Sequence, residues 1–239
     1  MRLDRYLVEG GLSPDLKSAQ ASIMAGRVEV GGRRITKPGT AVKGSPAVRI
    51  LAAARPYASR GGLKAEDGLR KFSVEVSGRV CLDVGSSTGG FTDFLLQHGA
   101  EKVYAVDVGR GLLDWKLRRD PRVVCLEGTN ARSLSPDLFV DSPNLATIDV
   151  AFISLKLILP AVARCLKRPY DILALIKPQF ELPPSKAPKG VVRSARDRLS
   201  AVAGLAQFAL SLPLRDRGAA ECGVRGAKGN IEYWWHLSA

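Results

Sequence analysis

The sequence predicts an α/β protein: a Rossmann-like, seven-stranded sheet with an antiparallel last strand, preceded by a small α+β module. Three observations point there. Five apolar, β-rich runs, 80–84, 103–106, 123–126, 145–148 and 172–176, alternate with helix-length segments. Near-continuous apolar strands separated by helices belong to a parallel sheet covered on both faces. Two further strand-like runs, 219–224 and 231–237, are joined by Arg225-Gly226-Ala227-Lys228-Gly229-Asn230 with no helix between them. So short a connection cannot link parallel neighbours, and this pair closes as an antiparallel hairpin.

The first 50 residues follow a different rhythm. Leu3, Tyr6 and Leu7 repeat at helical spacing until Gly10-Gly11 breaks the run. Ser13-Pro14 opens a second helix, on which Ala19, Ile23 and Met24 form an apolar stripe ended by Gly26. Val28 and Val30 alternate before Gly31-Gly32, and Ile35 follows on the return, a hairpin signal. Val42, Val48 and Ile50 suggest further short strands. Residues 1–52 thus form a module too small to be an enzyme, 53–60 read as a linker, and 61–239 as the larger domain.

Composition narrows the function classes. The 239 residues carry 36 Lys and Arg against 23 Asp and Glu, a net charge of +13. Residues 1–72 alone hold 14 basic and 6 acidic side chains, so most of the excess is N-terminal. An excess of this size fits a polyanion, nucleic acid before membrane, because no basic amphipathic anchor is visible. No run approaches the ~20 apolar residues of a membrane helix, and the N-terminus lacks a signal core. A cytoplasmic protein without membrane association is expected. Cys81, Cys125, Cys165 and Cys222 are scattered and read as free thiols; with two histidines in the chain, no metal site is expected.

The run Cys81-Leu82-Asp83-Val84-Gly85-Ser86-Ser87-Thr88-Gly89-Gly90-Phe91-Thr92 puts a Gly-rich turn between the first long strand and the next helix. Ligands of open α/β sheets bind beyond that carboxyl end. The spacing is Asp-x-Gly-x-x-x-Gly-Gly and not the dinucleotide Gly-x-Gly-x-x-Gly. Gly85 lets the backbone approach a ligand. Asp83 suits the ammonium of a methionine moiety and would repel a pyrophosphate, which favours S-adenosylmethionine over a dinucleotide. Ser86, Ser87, Gly89, Gly90, Phe91 and Thr92 complete the candidate cofactor turn. Asp107, with Val108 beside it, ends the second strand and can accept hydrogen bonds from both ribose hydroxyls. Asn130, after the third strand, is placed to reach an adenine. Asx turns at strand ends are the structural alternative for these polar residues.

Four polar residues stand where chemistry is plausible. Lys64 precedes the sheet, Asp149 follows the fourth strand, Lys177 terminates the fifth, and Glu232 starts the last. A hydroxyl nucleophile is a weak acid, and a lysine must be neutral to take its proton. A second lysine nearby lowers the pKa by repulsion, while two carboxylates fix the geometry and soften that shift.

The runs 57–64, 83–93, 103–109, 148–155, 175–181 and 228–233 together resemble the TlyA (haemolysin A) family of rRNA methyltransferases. The larger domain is similar to FtsJ-like 2′-O-methyltransferases, and the N-terminal 50 residues resemble an S4 RNA-binding domain. The resemblance implies S-adenosylmethionine as cofactor and Lys64, Asp149, Lys177 and Glu232 as a Lys-Asp-Lys-Glu tetrad. It implies methyl transfer to a cytidine 2′-hydroxyl in 16S and/or 23S rRNA. Ribosomal RNA or subunits are then the partner, not DNA, and a monomer is the expected state. Arg2, Arg5, Lys17, Arg27, Arg33, Arg34 and Arg60 are the candidate RNA-binding cations. One departure stands out: family members often carry arginines where this chain has Pro14, Asp15 and Leu16.

Residues 183–198 form a Pro-containing basic stretch beside Lys177, read as a loop able to close over RNA, with a plain surface connection as the alternative. Trp234 and Trp235 alternate on the last strand, so one faces the core and the other packs or lies at the rim. Three rival functions arise. A ribosome-associated RNA-binding factor would keep the fold without the chemistry, and a membrane-active haemolysin needs a segment able to enter a bilayer. Base amine methylation typically uses an Asn/Asp-Pro-Pro-aromatic run, which Asp149-Val150-Ala151-Phe152 replaces here.

Overall fold

The computed structural model describes residues 1–24, 26–44, 46–51 and 56–239; residues 53–55 of the expected linker lie outside them. The chain forms two compact units, Met1–Arg55 and Pro56–Ala239.

The first unit has two helices, α1 (Leu3–Glu9) and α2 (Leu16–Met24), and strands β1 (Val28–Val30), β2 (Arg33–Ile35) and β3 (Val48–Ile50). The strands form an antiparallel sheet in the order β2-β1-β3. Asp15 caps α2 by accepting the Ser18 N–H at 2.7 Å. Leu3, Leu7, Ala19, Ile23, Val28 and Val42 make the core. Two expectations are corrected. Met24, expected on the apolar stripe of α2, is 63% exposed; one position beyond Ile23, it has turned off the buried face. Val42 is buried but lies in no strand, next to an isolated bridge between Arg2 and Ala41.

The second unit contains α3 (Gly61–Phe72), β4 (Val80–Val84), α4 (Gly90–Gln97), β5 (Lys102–Asp107), α5 (Trp115–Arg118), β6 (Val123–Glu127), β7 (Leu145–Ile148), α6 (Leu159–Cys165), β8 (Asp171–Ile176), α7 (Pro178–Glu181), α8 (Ala195–Ala209), β9 (Arg215–Glu221) and β10 (Tyr233–Ser238). The seven strands run in the order β6-β5-β4-β7-β8-β10-β9. The first five are parallel, β10 is antiparallel to β8, and β9 pairs antiparallel with β10. Chain order reverses between β4 and β7, so a crevice opens at their carboxyl ends.

Both faces of this sheet are cores. Leu82, Ile148, Leu159 and Trp235 belong to one, and Cys81, Leu95, Leu145 and Trp234 to the other. That corrects the expectation that only one tryptophan faces a core, the other packing or lying at the rim: Trp234 and Trp235 point to opposite faces, and each is fully buried. The last hairpin also differs from the sequence reading. β9 ends at Glu221 rather than reaching 224, and Glu232 stands just before β10. Its Arg215-Asp216-Arg217 segment is exposed, because β9 is the sheet edge, where charge and not apolar alternation is normal.

Cys81, Cys165 and Cys222 are buried, Cys125 is half-buried, and all four are free. Burial pushes the Cys81 thiol up to about 12 and that of Cys165 to about 11. Among the described residues, no helix is long and apolar enough to cross a membrane, and no three metal-ligating side chains cluster.

Candidate active site

The β4 strand ends in a turn that only glycine can make. Gly85 has φ +85°, and a Cβ there would lie 2.6 Å from the Asp149 carbonyl oxygen. The exits of β4 and β7 therefore touch. At Gly90 a Cβ would run into Ser59 Oγ and stand 2.9 Å from Gly62 N. This close approach sets the start of α3, with Lys64, onto the first turn of α4.

Two lobes of one cleft meet over Gly85, Ser87 and Asp149. One, of about 640 Å³, is lined by Asp107, Val108, Asn130, Phe152 and Lys177. The other, of about 500 Å³, is lined by Arg60, Lys64, Ser86, Gly90, Phe91 and Lys228. Asp107 accepts the N–H of Ser87 at 2.8 Å and of Gly109 at 2.7 Å, so the Gly-rich turn itself orients this carboxylate. Asn130 Oδ1 accepts the Arg132 N–H at 3.0 Å. Asx-type turns and a place on the cleft wall coexist here.

Asp83 behaves differently from expectation. It is fully buried, accepting Thr92 Oγ1–H at 2.7 Å and Thr147 Oγ1–H at 3.3 Å. Asp83, Gly89 and Thr92 line neither lobe and sit behind the turn. Burial pushes the Asp83 carboxyl up to about 7; the nearby Asp149 charge adds to this, and the two threonine hydroxyls oppose it. Asp83 therefore braces the turn through Thr92 and Thr147 and does not line the cleft.

The structure brings Lys64, Asp149, Lys177 and Glu232 together. Lys64 Nζ donates to Glu232 Oε2 at 2.7 Å and stands 3.9 Å from Asp149 Oδ2. Lys177 Nζ lies 2.5 Å from Asp149 Oδ1. Their side chains are 12%, 18%, 12% and 2% exposed in chain order, so water screens these pairs poorly. The Asp149 N–H donates to Val84 O at 2.9 Å, which fixes the bridging carboxylate to the end of β4. One expectation is reversed. Burial is the largest influence on Lys64 and favours the neutral amine, but Asp149 and Glu232 outweigh it and hold the ammonium above its usual range. Carboxylates separate the two lysines, so like-charge repulsion does not set the balance.

The model of the FtsJ-like methyltransferase family matches residues 57–239. The chain belongs to that family. The S4 domain model matches residues 1–46. Among curated relatives, the 16S/23S rRNA (cytidine-2′-O)-methyltransferase TlyA of Mycobacterium tuberculosis is 42% identical, over 99% of this chain and 89% of that protein. Hemolysin A of Brachyspira hyodysenteriae is 37% identical over 99% of both chains. A solved structure of a candidate hemolysin from Streptococcus thermophilus is 39% identical, with a TM-score of 0.78 over 100% of this chain and 88% of that one.

Three residues of this FtsJ-like site escaped the sequence reading. Glu127 ends β6 in register with Asp107. It accepts the N–H groups of Gly111, Leu112 and Leu113 at 2.7–3.0 Å and Arg118 Nη2 at 2.7 Å. The Leu113 amide, then Arg118 and the other amides, pull its carboxyl down to about 2. Glu127 thereby fixes the loop after β5. Its signal was the same as that of Asp107, a carboxylate at a strand end. Glu181, at the end of α7, accepts Ser154 Oγ–H at 2.6 Å and Leu155 N–H at 2.8 Å. It ties the loop carrying Asp149 to the element after Lys177. Burial holds its carboxyl above the ordinary range against those hydrogen bonds. Phe152 is 91% exposed at φ +64°, with its ring 5.2 Å from that of Phe180. An exposed aromatic in left-handed backbone is costly, and such outliers gather at functional sites.

Of the candidate RNA-binding cations, Arg60 reaches the cleft, where its Nη2 donates to Arg225 O at 3.2 Å. The others lie in the first unit. Arg5, Lys17 and Arg33 are exposed. Arg2 is forked onto the buried Asp4 at 2.7 and 3.0 Å, Arg27 donates to Ser22 Oγ at 3.0 Å, and Arg34 stands 3.7 Å from Glu29. Segment 183–198 holds two short 3-10 turns and then the start of α8. Asn230 pins it: Val192 N–H donates to Asn230 Oδ1 at 3.2 Å, and Asn230 Nδ2 donates to Gly190 O at 2.8 Å.

Proposed function

We propose that this FtsJ-like protein transfers a methyl group from S-adenosylmethionine to the 2′-hydroxyl of a cytidine in 16S and/or 23S rRNA, in the cytoplasm. The observation that carries this is the Lys64–Asp149–Lys177–Glu232 cluster at the meeting of the two cleft lobes. Residues 1–52 serve as the RNA-binding module, 53–60 as linker and 61–239 as catalytic domain. The net charge of +13, the S4 match and the name of the 42% identical TlyA relative support RNA as substrate.

The cleft suits the cofactor. The Asp107 carboxylate is an acceptor matched to vicinal hydroxyls, with Val108 and Asn130 beside it for the base. Ser86 Oγ is buried at the turn without a hydrogen-bond partner among the described residues, a polar group that a ligand can satisfy. Ser87, Gly85, Gly90 and Phe91 complete the wall, with Asp83 beneath. When bound, S-adenosylmethionine supplies an electrophilic methyl group.

The protein's own residues divide the remaining work. Lys64, held as a cation between two carboxylates, orients the ribose and stabilises the oxygen as negative charge develops. Asp149 spaces the two lysines, and Glu232 fixes Lys64. Lys177, with one carboxylate contact to the two of Lys64, is the group we assign to take up the hydroxyl proton. Alignment of hydroxyl and methyl group contributes much of the rest. Segment 183–198 closes over the bound RNA once released from Asn230; limited proteolysis with and without rRNA checks this, and equal cleavage would leave a plain surface connection.

The test is incubation of purified ribosomal subunits with radiolabelled cofactor, followed by mapping of 2′-O-methyl positions. Label at a cytidine ribose is expected. Label confined to a base, or none in either subunit, contradicts the proposal.

A further inference from the structure

At the amino ends of β4, β7 and β8, the opposite edge of the sheet from the tetrad, lies a concave groove of about 1010 Å³. Five cations line it: Arg79, Lys167, Arg168, Arg215 and Arg217. Arg79 is spoken for. Its Nη1 donates to Asp171 at 2.7 Å, its Nε to Asn144 Oδ1 at 3.2 Å, and its Nη2 to Asn144 O. His236 Nε2 also meets Asp171, at 2.9 Å. The groove's one side-chain carboxylate is thereby neutralised within the wall. The Ala239 carbonyl oxygen, also in the wall, accepts the Tyr170 N–H at 2.9 Å.

The other four cations are exposed, and among the described residues none forms a salt bridge with a carboxylate. Where they are held, the partners are neutral: Arg168 Nη2 donates to Pro213 O at 3.3 Å, and Arg217 Nε to Ser238 Oγ at 2.8 Å. Such contacts orient a guanidinium without cancelling its charge. Edge-strand protection would account for Arg215 and Arg217 on β9. It does not account for Lys167 and Arg168, which come from the loop after α6 and converge on the same concavity. The one aromatic in the wall, Tyr170, is buried, so the groove offers no stacking platform for bases.

We propose that this groove docks the phosphate backbone of the RNA substrate, as a second contact remote from the reacting ribose. It rests on the reading of RNA as substrate. Backbone contacts of this kind add affinity and fix register without reading sequence. The acid-free cations on one concave surface match a run of phosphates and leave the choice of nucleotide to the cleft.

The test uses the full chain with Lys167→Gln and Arg215→Gln, singly and together, and the doubly reversed Lys167→Glu/Arg215→Glu. The probe is the ribosomal RNA that the unaltered chain binds, titrated across a salt series. Each removed contact should flatten the log–log salt dependence by about 1. The double variant should raise KM for RNA about tenfold, with kcat at saturating RNA, S-adenosylmethionine affinity and melting temperature unchanged. Unchanged RNA affinity and salt slope would overturn the proposal. Lost solubility with RNA binding intact would mean edge protection only. Binding of ATP or inorganic phosphate that the variants abolish, without any effect on RNA, would mean a small-anion pocket and also overturn it. Because affinity and salt slope are read apart from turnover, an absence of methylation by the unaltered chain would count against the proposed reaction and not against the groove.

Discussion

A Cβ placed on Gly226 would overlap Glu232 Oε1, so the turn before β10 closes directly over the carboxylate that holds Lys64. Gly226 has φ −75°, a backbone that alanine adopts freely, so Gly226→Ala should fold and act through this one contact. The displaced carboxylate leaves Lys64 misplaced, and a shift of roughly 1 Å in such a group costs about 100-fold in rate. Single-turnover methylation should show that loss, with cofactor affinity by calorimetry unchanged. Equal loss of both would mean that the variant disturbs the whole cleft.

Asp83 predicts a pH dependence of stability. Its carboxyl is raised from the ordinary 3.8 to about 7 by burial, so the folded chain holds this proton more tightly than the unfolded one. The stabilisation is complete below about pH 4 and is lost as pH rises towards 7. Between pH 5 and 8 it amounts to about 3 kcal/mol. Urea unfolding should show the unaltered chain losing stability over that window relative to Asp83→Asn. Parallel curves for the two proteins would show that the buried carboxyl does not titrate there.

Phe152 separates binding from folding. Phe152→Gly removes an exposed ring and a left-handed strain while loosening the unfolded chain, so stability should stay within about 1 kcal/mol. KM for rRNA should rise severalfold, because the ring at the cleft rim offers a face on which a base can stack. Steady-state kinetics with ribosomal subunits checks this. An unchanged KM would leave Phe152 as mere rim.

Much of this architecture was readable in the chain because strand ends announce themselves. The apolar runs at 80–84 and 145–148 appear as strands with those bounds, and Asp107, Asp149 and Lys177 draw notice as polar residues closing such runs. What stayed hidden depends on neighbours distant in sequence. Glu127 and Glu181 act on backbone N–H groups that only the fold delivers. Burial of both Trp234 and Trp235 required knowing that α3 and α4 cover one face and α6 the other. The charge state of Lys64 was misread because spacing gives no measure of 2.7 Å against 3.9 Å. β9 was misplaced because an edge strand carries little apolar signature.

Glu181 links the two loops that carry Asp149 and Lys177. Glu181→Ala leaves Ser154 Oγ–H and Leu155 N–H without their partner, which costs about 1–3 kcal/mol. Turnover should fall more than cofactor affinity does, and Glu181→Gln should restore much of both. Thermal melts alongside kinetics check this; a glutamine variant as impaired as alanine would show that the charge, not the tie, matters.

Lys177 Nζ stands 2.5 Å from Asp149 Oδ1, at the point where the proposed reaction places the ribose hydroxyl. The most direct measurement is methyl transfer to ribosomal RNA by Lys177→Ala, with S-adenosylmethionine and RNA affinities determined on the same protein. Transfer should drop by at least 10²-fold, the scale of a lost general base, while both affinities persist within a few fold. Transfer near the unaltered rate, with binding intact, would contradict the assignment of this cluster as the catalytic site.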